Sequence, residues 1–200
     1  MKPFMLHRAI LASTLLGAAA LLGPAPAQAQ WASDPANNLI VADQYANQTQ
    51  AKIAARADGG YYLSWFDDYE NGFGIHIQRL DADGNEMWAH NGVQVAERQF
   101  GFTYDYGLTV DAQGNAYLAF NCCENNSPDE HIVVSKITPE GTLAWGQDGL
   151  TVSLPASTET PYEAQMTMTP DNHIIVAWSS DPGVRVQKLD TDGVAQWAPD

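Results

Sequence analysis

The stretch LDADGNEMWAHNGVQV, residues 80–95, returns as ITPEGTLAWGQDGLTV at 137–152 and again as LDTDGVAQWAPD at 189–200. In each copy a glycine falls four residues after the leading aliphatic residue, at Gly84, Gly141 and Gly193. A tryptophan falls four residues further on, at Trp88, Trp145 and Trp197, and the first two copies add Gly92 and Gly149 after four more. Read alone, Asp81 and Asp83 suggest a calcium loop. Such a loop takes its bidentate carboxylate at position 12 and its glycine at position 6. Counted from Asp81, position 12 is Gly92 and the glycine comes at position 4. The stretch therefore reads as a tight turn. No metal ligand set and no cofactor is expected from it, with calcium kept as a minor alternative.

The residues around each copy alternate between apolar and polar. IHIQRL (75–80) aligns with IVVSKI (132–137) and VRVQKL (184–189), and GGYYLSW (59–65) with GNAYLAF (114–120) and NHIIVAW (172–178). Upstream of these stand AKIAA (51–55), YGLTV (106–110) and AQMTM (164–168). Period two is the strand signature, and no long helical period appears beyond the N-terminal leader. The intervening turns carry Asp58-Gly59, Gln113-Gly114 and Asp171-Asn172, then Asp83-Gly84, Glu140-Gly141 and Asp192-Gly193. These residue types accept the left-handed backbone of a tight hairpin. Each unit thus reads as four short antiparallel strands, A to D, and such units repeated at this interval are the pattern of β-propeller blades. The expected fold is all-β, with two complete blades and most of a third, part of a larger ring. Trp65, Trp88, Trp145, Trp178 and Trp197 are expected to be structural, covering the gaps between stacked blades.

The repeat, written W-x-D…I-x-x-Q-R-L-D-x-x-G-x-x-x-W-x-x-x-G-x-x-V, resembles propeller repeats of secreted bacterial proteins that mostly have no assigned function. Trp65, Asp67, Ile75, Gln78, Arg79, Leu80, Gly84, Trp88 and Gly92 match in the first copy. The third keeps Trp178, Gln187, Leu189, Gly193 and Trp197, and the second departs with Phe120, Ser135 and Lys136. The resemblance implies architecture and says little of activity.

The first 29 residues read as a secretory signal peptide, with Lys2 and Arg8, an apolar run from Ala9 to Leu22, and a small-residue site at Ala27-Gln28-Ala29. Secretion or a periplasmic location follows as an expectation, and no other segment is apolar enough to span a membrane. Residues 30–47 form an N-terminal segment whose Trp31 and Leu39-Ile40-Val41 suggest a ring-closing strand. Residues 48–200 divide into repeats at about 48–99, 103–154 and 161–200. The third is cut short, which suggests an N-terminal fragment of a longer protein, with association of two copies through open blade edges into a six-bladed ring, or an open, curved stack, as the alternatives. The formal net charge of −15 becomes −17 without the leader, which removes two basic residues and no acidic one. So acidic a surface repels nucleic acid.

Functional candidates lie in the expected B–C loops: Asp67, Asp68 and Tyr69 in the first repeat, Glu124 in the second and Asp181 in the third. Such loops vary in length where the strands do not, as recognition loops on a fixed scaffold would. The adjacent Cys122 and Cys123 occupy the same loop of the second repeat. Adjacent Cα atoms stand about 3.8 Å apart, below the usual disulfide span, so a bond between them would be strained. A vicinal disulfide, two thiols and a link to another chain all stay open. Adjacent cysteines on a propeller, with the G-x-x-x-W spacing, also resemble quinoprotein alcohol dehydrogenases. Asp83, Glu140 and Asp192 depart from the threonine of that docking repeat. The histidines show no metal-ligand spacing, with His76 at an outward-alternating position. The expected function is a binding module for an unknown protein or glycan, without catalytic residues. The alternative is part of a propeller hydrolase, in which Asp67 and Asp68 would be paired acids, or part of a quinone-dependent oxidoreductase.

Overall fold

The computed structural model describes residues 34–69, 72–97, 103–123, 130–154 and 158–197, with the backbone alone for Tyr69 and Cys123. The chain is all-β. β1 (Gln48–Ala55), β2 (Tyr61–Tyr69), β3 (Gly72–Leu80) and β4 (Val93–Ala96) form one antiparallel sheet in chain order. β5 (Gly107–Val110), β6 (Ala116–Cys123), β7 (Glu130–Ile137) and β8 (Leu150–Thr151) form a second, and β9 (Tyr162–Met168), β10 (Ile174–Ser179) and β11 (Val184–Leu189) a third.

Strand alternation sends side chains to opposite faces, so each sheet packs on its neighbours in sequence. Tyr62, Phe66, Ile75 and Ile77 of the first sheet meet Ala116, Leu118, Phe120 and Cys122 of the second. The other face of β6, Tyr117 and Ala119, meets Ala164, Ile174, Val176 and Trp178 of the third. The middle sheet is thus covered on both sides. The first sheet has an outer face preceding the stack, its leading face, and the third has a trailing face beyond it.

All six turn positions named from sequence have positive φ: Gly59, Gly114 and Asn172 in one set, Gly84, Gly141 and Gly193 in the other. The acids in the turns hold them internally. Asp81 Oδ1 accepts from the backbone N–H groups of Asp83 and Asn85, at 2.9 and 2.8 Å, while Oδ2 accepts from Asn85 Nδ2. Asp190 repeats this with Asp192 and Val194, and Asp111 with Asn115. The connection from the third to the fourth strand is not the plain hairpin the sequence suggested. After the turn, Leu80 makes a single bridge with Glu86, and an excursion carrying Trp88 intervenes before β4 pairs with β3. Ile137 with Leu143 and Leu189 with Ala195 repeat the bridge.

The motif residues grip the next sheet. Trp88 Nε1 donates to the carbonyl of Pro139 at 3.1 Å, and Arg79 Nη1 donates to the same oxygen at 3.0 Å. A Cβ at Gly141 would sit 3.2 Å from the Trp88 ring, and one at Gly193 3.2 Å from the Trp145 ring. Lys136 Nζ donates to the carbonyl of Thr191, the position matching Pro139. Gln78 steadies the Trp88 loop by donating to the carbonyl of Ala89.

Three expectations are corrected. Residues 34–47 form a short 3-10 turn over Pro35–Asn37, capped by Asp34, and no strand; the Leu39–Val41 run instead lies against the first sheet, while Trp31 lies outside the described residues. Asp67, Asp68, Tyr69, Cys122 and Cys123 belong to strands rather than loops, because β2 and β6 continue in register with β3 and β7 to Tyr69 and Cys123. His76 is buried, stacked on the Trp65 ring with Nδ1 3.3 Å from the carbonyl of Asn91.

Gly92 has φ +69°, and a Cβ there would collide with the carbonyl oxygen of Ile77, whereas Gly146 has φ +79° and nothing within 4 Å. Gly146→Ala should cost about 1–2 kcal/mol, the left-handed strain alone, and Gly92→Ala distinctly more, both measured by urea unfolding. Hydrogen bonds also hold turn carboxylates below their ordinary range: Asn85 and backbone donors for Asp81, Arg56 and Gly60 for Asp58, and Thr169 and then Lys188 for Asp171, at about 2. Groups lowered in the folded state stabilise it above their unfolded value and lose that effect as they protonate. The melting temperature should therefore fall as pH drops from about 4 towards 2, and Asp171→Asn should flatten part of that fall.

Candidate functional site

The leading face of the first sheet carries Leu63, Trp65 and Asp67 from β2, opposite Gln78, His76 and Gly74 of β3. Leu39, Val41 and Ala42 of the N-terminal segment stand over its β1 side. Between them and Gln48, Thr49, Gln50, Ala51, Leu63 and Trp65 lies a cleft of about 470 Å³. The β1 register shifts between Thr49 and Lys52, and Gln50 takes φ +53° within the shift. That irregularity opens the strand edge beside the cleft. The segment is tied down at its far end, where Asp43 N donates to Asn91 Oδ1 at 2.8 Å and His90 Nε2 lies 3.1 Å from Asp43 Oδ1. Glu86 and Asp43 together raise the His90 pKa above its usual value.

Beneath the cleft the polar groups are buried. Asp67 is 0% exposed and Trp65 and His76 are each 5% exposed. Asp67 Oδ1 accepts from Gln48 Nε2 at 3.0 Å, but Oδ2 has no hydrogen-bond partner among the described residues. Nor does Trp65 Nε1. The Trp65 and His76 rings stack with centroids 5.8 Å apart. Burial lowers the His76 pKa, opposed by the carbonyl of Asn91, 3.3 Å from Nδ1, and by Asp67. The contact with that carbonyl requires the proton on Nδ1.

The corresponding positions elsewhere are filled. Trp65 with His76, Phe120 with Val133 and Trp178 with Arg185 are cross-strand pairs at the same register. Phe120 and, two residues on, Cys122 are packed into the core between the first two sheets. In the third sheet, Glu159 reaches in from the chain preceding β9. Its carboxylate accepts from Trp178 Nε1 at 3.3 Å, Ser180 Oγ at 3.2 Å, Arg185 Nε at 3.2 Å and the Leu154 N–H at 3.1 Å.

The candidates named from sequence separate in space. Asp67 faces the leading side, while Asp68, its neighbour along β2, faces the second sheet and accepts from Asn47 Nδ2 at 3.2 Å. Two carboxyls on opposite faces of one strand cannot flank one scissile bond, so the paired-acid hydrolase reading does not fit. Asp181 lies exposed in the turn between β10 and β11, in the third sheet. Glu124 and the side chains of Tyr69 and Cys123 lie outside the described residues. Sequence reading passed over Gln48, Glu159 and the buried indole nitrogen of Trp65. The available signal was register: aligned repeats show Asp67 where the others carry Cys122 and Ser180. No group of three or more metal-ligating side chains occurs among the described residues, and no helix there is long and apolar enough to cross a membrane.

No family model and no curated protein matches the chain. Among solved structures, 76% of the chain is similar to an endo-1,4-beta-xylanase from Bacteroides thetaiotaomicron, at 12% identity with a TM-score of 0.46. The same share is similar to the NanB sialidase from Streptococcus pneumoniae, at 12% identity and 0.45. A third match, over 72% of the chain, is an exo-1,5-alpha-L-arabinanase from a bovine ruminal metagenomic library, at 11% identity and 0.30. The chain spans 59% and 24% of the length of the first two and 75% of the third.

Proposed function

We propose that the three stacked sheets are β-propeller blades of a protein exported by residues 1–29, and that they act as a binding module with its ligand in the cleft beside Trp65. The observation that supports this reading is the contrast between equivalent faces. Packing fills this level of the second and third sheets, whereas the leading face of the first keeps a cleft of about 470 Å³. Ligand pockets of small molecules fall in the range of about 300–1,000 Å³. Val184 is 77% and Trp197 45% exposed on the trailing side, and β11 has no neighbour beyond it among the described residues, so further blades, in a longer chain or a second copy, would stack on that side and leave the leading-face cleft open.

Filling the cleft tests the reading. Ala51 lines it from an exposed position of β1, so Ala51→Trp should block the space while leaving the fold intact. Wild type on glycan and peptide arrays should retain a ligand without turning it over. Ala51→Trp should bind that ligand at least tenfold more weakly with an unchanged melting temperature. A ligand held equally well by the variant, or consumed by the wild type, would overturn the proposal.

A further inference from the structure

We propose that His90 is a protonation-dependent latch fastening the N-terminal segment, residues 38–46, to the first sheet, closed when the ring carries two protons and open when it carries one. The inference needs no ligand and stands apart from the binding-module reading above. Its warrant is the position of the ring between two carboxylates. His90 Nδ1 lies 3.0 Å from each carboxylate oxygen of Glu86, and Nε2 lies 3.1 Å from Asp43 Oδ1. An ionised carboxylate can only accept, and a neutral imidazole has a single N–H to give. With one proton, a ring nitrogen would aim its lone pair at a carboxylate oxygen. The imidazolium donates on both sides. Among the described residues the charged groups facing the ring are Glu86, from the connection after β3, and Asp43, from the N-terminal segment. Glu86 first, and Asp43 after it, hold the His90 pKa above its ordinary value.

The two sides of the latch are held differently. Glu86 bridges Leu80, Trp88 donates to the Pro139 carbonyl, and Gln78 donates to the Ala89 carbonyl, so the chain beside His90 is fixed. Residues 38–46 join no strand. Asp43 ties them to that base, its N–H donating to Asn91 Oδ1 and its carboxylate meeting Asn91 Nδ2 and His90. The Asn91 contacts do not titrate, whereas the His90 contact does. The second repeat has no such device. Leu143 stands where Glu86 does, bridging Ile137, and Gln147 stands where His90 does, donating instead to the Val95 carbonyl of the first sheet.

Isolated exposed ion pairs add little to stability. Here one cation joins carboxylates of two elements, so its charge is read in where the segment lies. The His90 side chain is 43% exposed and equilibrates with solvent. A histidine whose pKa is raised in the closed form stabilises that form fully below its free value, about 6.5, and loses the effect as pH rises through the raised one. The segment is therefore latched in mild acid and released on the alkaline side of that value. Release frees Leu39, Val41 and Ala42 from the β1 side of the leading face. His76 lies nearby, with Nδ1 3.3 Å from the Asn91 carbonyl, but burial moves its pKa the opposite way, which separates the two titrations.

The test follows the full chain by NMR on both sides of the ordinary histidine value, from about pH 5.5 to about 8.5. The His90 ring should titrate above the value it shows in the urea-unfolded chain. Exchange of the Asp43 amide, corrected for its intrinsic pH dependence, should speed with the same midpoint. Each unit between the two His90 values corresponds to about a tenfold change in the ratio of latched to released segment. Glu86→Gln should lower the ring and amide midpoints together. His90→Gln should leave an Asp43 amide whose protection no longer changes over this range. A His90 midpoint at or below the unfolded value would overturn the inference. So would an Asp43 amide indifferent to the wild-type titration, or a pH dependence that survives His90→Gln. The wild-type titration decides by itself if a variant fails to fold.

Discussion

The grip of one sheet on the next organises this chain. A tryptophan and a basic residue reach forward from each of the first two repeats, and a glycine turn in the following repeat receives them. Trp88 and Arg79 share the carbonyl of Pro139, while Lys136 and Trp145 meet the matching turn at Thr191 and Gly193. The glycine is needed twice over at these turns. It permits the positive φ, and it leaves room for a ring that a Cβ would press at 3.2 Å. Sequence spacing and tertiary packing are therefore the same constraint seen at two levels.

That coupling explains why the architecture was legible in the sequence. Alternation marks the strands, and a turn that recurs in register with an aromatic residue marks the stacking contact. The acids of LDADGNEMW became intelligible as well. Asp81 spends both carboxylate oxygens on donors within its own turn, which is why the residues resemble a ligand loop and act as a local clasp.

The site was harder to read for equally physical reasons. Acidity and loop variability pointed to Asp67 and Asp68 together, but strand alternation sends them to opposite faces. Trp65 looked like one more structural tryptophan because Trp178 stands at the same register. The difference between them lies in what arrives from elsewhere in the chain: Glu159 for Trp178, and no hydrogen-bond acceptor among the described residues for Trp65. A partner contributed by a distant segment leaves no periodic trace. The Leu39–Val41 run suggested a strand by composition, whereas its contacts made it one wall of a cleft.

The forward reach of Trp88 and Trp145 also gives the stack a polarity. The face that extends an indole and the face that presents a glycine turn are different surfaces, so neither complements itself. Two trailing faces brought together would offer two rings and no turn to receive either. Assembly by this contact is consequently head-to-tail, and a head-to-tail contact either closes into a ring or propagates as a filament. The rotation between successive sheets, rather than the strength of any single contact, decides between those outcomes.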